Sequence, residues 1–246
     1  MGRNSILIAC ASVAWLSAVA EADIALLQAV ADNTLYQLTD GSVSNGKGET
    51  FFAGTTLQGN SLRRGLIRFD LSGLPQNAQI TAARLTLHMS RSISLSQAVG
   101  MHRATASWGE GTSDAPGEEG AGDIATAGDA TWVHRFYSDT FWQQAGGDFV
   151  EVASSVKSVN GNGFYTWSGP GMVADAQSWL AQGGSNFGWF VIGTEDLSGT
   201  AKRFDSRENI DPAVRPVLRI DYEVIPCPGA VSLGAAAIAG VLRRRR

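Results

Sequence analysis

The chain has 246 residues, 17% of them charged and 9% aromatic, with 29 glycines and two cysteines. Setting aside Arg3, Glu21 and Arg243 to Arg246, residues 23–242 carry 14 Lys and Arg against 22 Asp and Glu, a net −8 with no basic stripe. That balance excludes nucleic acid as the expected partner, because phosphate binding depends on clustered cations.

Arg3, the apolar run from Ile6 to Ala20 and the closing Ala20-Glu21-Ala22 read as a signal peptide over 1–22, with Ala22 at the processing point. The run is too short to span a bilayer as a stable helix. Leu7-Ile8-Ala9-Cys10 has the shape of a lipobox, but its apolar stretch is short before the cysteine and continues past it. Export is therefore expected. Only Cys227 then remains, so no intramolecular disulfide can form and a packed core must hold the fold. The roughly 200 residues from 23 to 223 suit one large β domain better than two well-cored ones.

Within that body apolar residues repeat mostly with period 2. In GLIRFDL (65–71) Ile67, Phe69 and Leu71 share one face, with Arg68 and Asp70 on the other; ARLTLHM (83–89) alternates in the same way. Similar patterns at 99–105, 131–136, 149–153, 163–167, 187–194, 202–206 and 216–222 are separated by Gly- and Asn-containing turns. Many short strands point to an all-β sandwich or jelly roll. One helix is predicted from Gly171 to Leu180, with Pro170 at its start and Gly183-Gly184 beyond its end. Residues 107–130 lack apolar periodicity and read as a long surface loop.

RGLIRFDLSGLPQNAQITAARLTLHM (64–89) resembles the opening of DNRLRE-domain proteins, where a strand ending in FDLS and a Leu-Pro turn precede a second strand. Trp108-Gly109-Glu110, Ala130-Thr131-Trp132, SWLAQGGSNFGWFVIG, and FDSREN followed by RPVLRIDYEV come in that family's order, from about 30 to 223. The resemblance implies a jelly-roll-type β-sandwich with one short helix. It also implies a carbohydrate-binding-module-like role, with alginate among the ligands of some relatives, although no attached catalytic domain is expected.

The most charged stretch is KRFDSREN, 202–209. Strand spacing turns Phe204 inward and Arg203 and Asp205 outward, matched by Arg68 and Asp70, so an exposed charge ladder is the expectation. Arg207 and Glu208 begin the loop toward Pro212 and read as a loop-fixing pair or ligand contacts. No nucleophile elbow, zincin or P-loop motif occurs, and Asp205 with Glu208, or Glu118 with Glu119, has nothing to single it out as a catalytic pair. No enzyme is expected. His88 and His102, if they face each other across adjacent strands, read as a solvated or hydrogen-bonded pair rather than a metal site. Calcium is left open as a cofactor without assigned ligands, since Asp32-Asn33, Asp205 and Asp211 fall near expected turns. For a sugar platform Trp142 is the candidate for exposure, with Trp108, Trp132, Trp179 and Trp189 assigned to the core. An acidic polysaccharide would need local arginines such as Arg63, Arg64, Arg203 and Arg207, or bridging calcium. Arg203, Arg207, Glu208 and Trp142 are thus the candidate ligand-binding residues.

The chain closes with IPCPGAVSLGAAAIAGVLRRRR: 14 small or apolar residues from 229 to 242, then four arginines. A short apolar segment ahead of a cationic stop is a membrane-retention pattern, and its length suits a transient anchor. Residues 224–246 resemble PEP-CTERM sorting tails, with Pro226-Cys227-Pro228 in place of Pro-Glu-Pro. The resemblance implies processing by a membrane protease of the exosortase type and release to the cell surface or exopolysaccharide matrix. A tail type in which Cys227 is the modified residue, and a plain short anchor, stay open. The expected function is a secreted non-catalytic surface or matrix protein that binds polysaccharide; the alternatives are a passive structural or adhesive protein and an orphan polysaccharide lyase.

Overall fold

The computed structural model describes residues 22–225. The expected signal peptide up to Glu21, and the tail with Pro226, Cys227 and Pro228, lie outside the described residues. In chain order the elements are β1 (Ala22–Tyr36), β2 (Val43–Ser44), β3 (Thr50–Thr55), β4 (Leu62–Phe69), β5 (Ala78–Ser92), β6 (Gln97–Arg103) and β7 (Asp123–Ile124). There follow β8 (His134–Phe136), β9 (Thr140–Phe141), β10 (Ser155–Val159), β11 (Gly163–Ser168), α1 (Pro170–Ala181), β12 (Trp189–Ile192), β13 (Lys202–Asp205) and β14 (Val217–Val224). The protein is mostly β and antiparallel, and α1 forms where the Pro170 start and the glycines after it predict it. No helix among the described residues is long and apolar enough to cross a membrane.

β1, β14, β5, β13, β3 and β4 pair in a closed ring of six strands. β1 makes the turn of this ring. Its residues 22–28 pair with β14, and from Ala29 it pairs with β4 from Phe69 to Arg63, with a register shift between Ala29 and Ala31. Met89 pairs with Gly163 of β11 on one side and Phe204 of β13 on the other, and Thr86 likewise with Thr166 and Val217. β13 and β14 therefore lie end to end along one edge of β5, and residues 206–216 rise between them as an excursion. That excursion carries Arg207 and Glu208.

The inward faces pack Phe51, Phe69, Leu85, Leu87, Met89, Trp167, Trp179, Trp189 and Phe204 into one core. A second cluster, with Leu66, Trp108, Trp132, Trp142 and Phe190, covers the opposite face of β4 and β12. Leu66 between Ile67 and Gly65, and Phe190 between Trp189 and Val191, show strands buried on both faces, which is why WFVI is continuously apolar. The segment 107–130 is the expected long loop, but it does not lie only on the surface. It contributes Trp108, Ala115, Ala125 and Ala130 to the interior, and its short β7 pairs with β2. The expected strand at 149–153 reduces to an isolated bridge between Ala104 and Phe149, and that at 131–136 to β8.

Candidate functional site

The charged residues of KRFDSREN and Phe204 fall into five environments. Phe204 is fully buried and stacks on Phe51 with centroids 5.6 Å apart, as strand alternation requires. Lys202 is also fully buried, at the start of β13, and its Nζ donates to the carbonyls of Ser94, Leu95 and Asn160 at 2.8–3.3 Å. Burial lowers its pKa, and the three carbonyls replace the water that an ammonium needs. Asp205 corrects the exposed-ladder expectation: it is 5% exposed and accepts a hydrogen bond from His88 Nδ1 at 2.6 Å. Nor do Arg68 and Asp70 match it, because β4 does not border β13; Arg68 lies over the Trp108 ring at 5.3 Å, and Asp70 caps Ser72.

Arg207 and Glu208 form the densest charge cluster. Arg207 Nε and Nη2 donate to the two oxygens of Glu110 at 2.7 Å each, and its backbone N–H donates to Asp32 Oδ2 at 2.8 Å. The Asp32 N–H in turn donates to Glu110 Oε1 at 2.9 Å. Glu208 Oε1 also lies 2.7 Å from Arg207 Nη2, yet neither Glu208 oxygen accepts a well-directed hydrogen bond, and both are sealed from solvent. Ligand atoms of Asp32, Glu110 and Glu208 lie within 4.8 Å of one another, an arrangement that could hold a cation. The Arg207 guanidinium already supplies positive charge there. Three carboxylates facing one guanidinium leave an excess of negative charge in a poorly hydrated place. Burial, then Glu110, push the Glu208 carboxyl up to about 7, and burial, then Glu208, push Asp32 well above the usual carboxylate range. The cluster ties β1, the 107–130 segment and the 206–216 excursion together. Gly111, next to Glu110, has a φ of +72°, and a Cβ there would lie 1.5 Å from Asp129 Oδ1.

Arg203 points elsewhere, into an open groove of about 270 Å3 lined by Phe52, Leu57, Arg91, Ile93 and Glu118. Phe52, Arg203 and Arg91 are register partners across β3, β13 and β5. Simple alternation after Met89 would turn Arg91 inward. The register shift opposite Arg203 and Phe204 places both Ser90 and Arg91 against Arg203, a bulge that re-aims Arg91 outward. Arg203 Nε donates to Ser90 Oγ at 3.1 Å, and Arg91 Nη1 and Arg203 Nη1 both reach Glu118 Oε2 at 2.5 Å. Glu118 remains 69% exposed, and Arg91, then Arg203, hold its carboxyl below the usual range.

The other expected site residues resolve as follows. Trp142 is not an exposed platform: it is 5% exposed in the second core cluster, edge-on to Phe190, and donates to the Thr131 carbonyl at 2.9 Å. Covering the outer face of β4 and β12 requires large rings from the 104–149 segment, and Trp142 is one of them. Arg64 is held bidentately by Glu195 at 2.7 and 2.8 Å, and Arg63 binds the Gly120 carbonyl over the Tyr36 ring. His88 and His102 do not face each other, since β5 and β6 are not neighbours; His102 Nδ1 meets the Val150 carbonyl instead. Asp32 and Asn33 lie in the middle of β1 rather than at a turn. Glu118 and Glu119 diverge, because Glu119 is buried and accepts from Asn45, Glu49 and Thr50. Ala22 opens β1 and pairs with Glu223. Asp32, Arg91 and Glu118 were missed as partners of these arginines; only Glu110 carried a signal, in Trp108-Gly109-Glu110.

No protein-family model matches the chain, and no curated protein matches it.

Proposed function

We propose that the protein is an exported, non-catalytic surface or matrix protein that binds a carboxylated polysaccharide in the groove between the 107–130 segment and β13. The observation that carries this reading is the Arg91–Arg203 pair, two guanidiniums on one face converging on a single exposed carboxylate beside an apolar wall of Phe52, Leu57 and Ile93. Guanidiniums match carboxylates geometrically, and Glu118 occupies the place a uronate would take. The acidic net charge makes this local arginine pair necessary. In this reading the ring of strands is a jelly-roll-type sandwich of DNRLRE kind, supported by β1 passing from β14 to β4 and by the motif order along the chain. Export by the 1–22 signal and sorting through the 224–246 tail by an exosortase-type protease complete the proposal. Their support is the sequence pattern alone.

The test is titration of purified protein with polygalacturonate and alginate, with and without calcium. Arg203→Ala should weaken binding at least about tenfold with little change in melting, since its contacts are solvent-facing. Glu118→Ala should tighten binding by freeing both arginines, and added salt should weaken it. No binding by the wild type would leave the passive structural or adhesive reading in its place. Unsaturated uronate absorbance growing with time would indicate the lyase.

A further inference from the structure

Phe164, on β11, is 59% exposed, although a ring of this size gains about 1.5–3 kcal/mol when buried. It stands on the outer face of the sheet, with Tyr165 and Trp167 turned toward the core. Its register partner is His88 of β5, whose ring centroid lies 4.6 Å from that of Phe164 at an interplanar angle of 52°. His88 Nδ1 is hydrogen-bonded to Asp205 Oδ2, and Asp205 pairs in turn with Thr50 of β3. The Asp205 carboxylate fixes the ring through Nδ1, and Nε2 is the ring's other hydrogen-bonding atom. Phe164, His88 and Asp205 thus form one rung across β11, β5 and β13. Arg91, Arg203 and Phe52 form the next rung along the same face. Strand spacings of about 4.8 Å and a rise of about 3.3 Å per residue put Phe164 on the order of 12 Å from Arg203 across this face.

We propose that Phe164 and the His88–Asp205 pair are a second sugar subsite, continuous with the arginine groove and occupied by a further ring of the same polysaccharide chain. This rests on the polysaccharide reading of the groove. The chemistry fits a pyranose: an exposed aromatic face takes the C–H face of the ring, and an imidazole fixed by a buried carboxylate hydrogen-bonds a ring hydroxyl without having to be ordered on binding. The arginines take the charged substituent of a neighbouring unit. The subsite also supplies the exposed aromatic platform that Trp142, being buried, cannot.

The experiment compares galacturonate disaccharide and hexasaccharide by calorimetric titration of the full exported protein, wild type and variants. Phe164→Ala should weaken hexasaccharide binding about tenfold, leave disaccharide binding at the arginines unchanged, and leave the melting temperature unchanged because the ring is solvent-facing. Phe164→Tyr should restore hexasaccharide binding. Arg203→Ala should weaken both ligands. If the wild type binds both and Phe164→Ala binds the hexasaccharide as well as the wild type does, the subsite is refuted while the groove reading stands. If Phe164→Ala weakens both ligands equally, the subsite is likewise refuted. If the wild type binds neither ligand, both readings fail together.

Discussion

Replacing Glu208 by glutamine should stabilise the protein at alkaline pH and do little in mild acid. Glu208 has two sealed, unaccepting oxygens, with Glu110 and Asp32 as its acidic neighbours and Arg207 and the more distant Lys47 as its cations. Its folded pKa of about 7 stands above the ordinary 4.5, so the fold holds a proton that the unfolded chain releases. The stability linked to that proton is complete below about pH 4.5 and is lost as pH rises through about 7. The full difference corresponds to about 3 kcal/mol at pH 8. Solvent at the edge of a side chain that is 14% exposed reduces this to about 1–2 kcal/mol. Glutamine keeps the shape without the charge, so Glu208→Gln should raise the melting temperature by about 3–6 °C at pH 8, and by a fraction of that at pH 5. Scanning calorimetry of both proteins at the two pH values reads the effect directly. A variant less stable than wild type at pH 8 would refute the reasoning, because it would mean that ionised Glu208 is needed as a partner of Arg207. Equal shifts at both pH values would refute the proton linkage.

Arg207→Ala removes the cation on which Asp32, Glu110 and Glu208 converge, and should cost about 3–5 kcal/mol, measured by urea unfolding at pH 7. Phe204→Ala should cost about 3–5 kcal/mol through lost contact with Phe51 and Trp167 and the cavity left between them; a cost under about 1 kcal/mol would contradict its core position. Lys202→Ala leaves the Ser94, Leu95 and Asn160 carbonyls without their shared donor and should destabilise by about 2–4 kcal/mol, with faster hydrogen exchange in the 92–97 and 159–163 turns.

Local chemistry was legible from the sequence wherever the side chains that face the main core alternate strictly along a strand. Ile67 and Phe69, Leu85 and Leu87, and the inward Phe204 follow from period-2 alternation, and α1 follows from Pro170 and the glycines beyond it. β1 was not legible. ADIALLQAVADNTLY changes partner from β14 to β4 midway, and its second half is buried on both faces, so no alternation survives in it. Alternation assigned Asp205 correctly to the outward side, but could not show that His88 and neighbouring chain would bury it there. Nor could it place Arg91, because a bulge depends on the pairing of two strands and leaves no mark on either alone. Trp142 looked free because the face it covers belongs to β4 and β12. Both candidate sites needed the tertiary structure for the same physical reason. Arg207 meets Asp32 across 175 positions and Arg203 meets Glu118 across 85, and such encounters are set by how strands close into a ring, not by the spacing of residues along the chain.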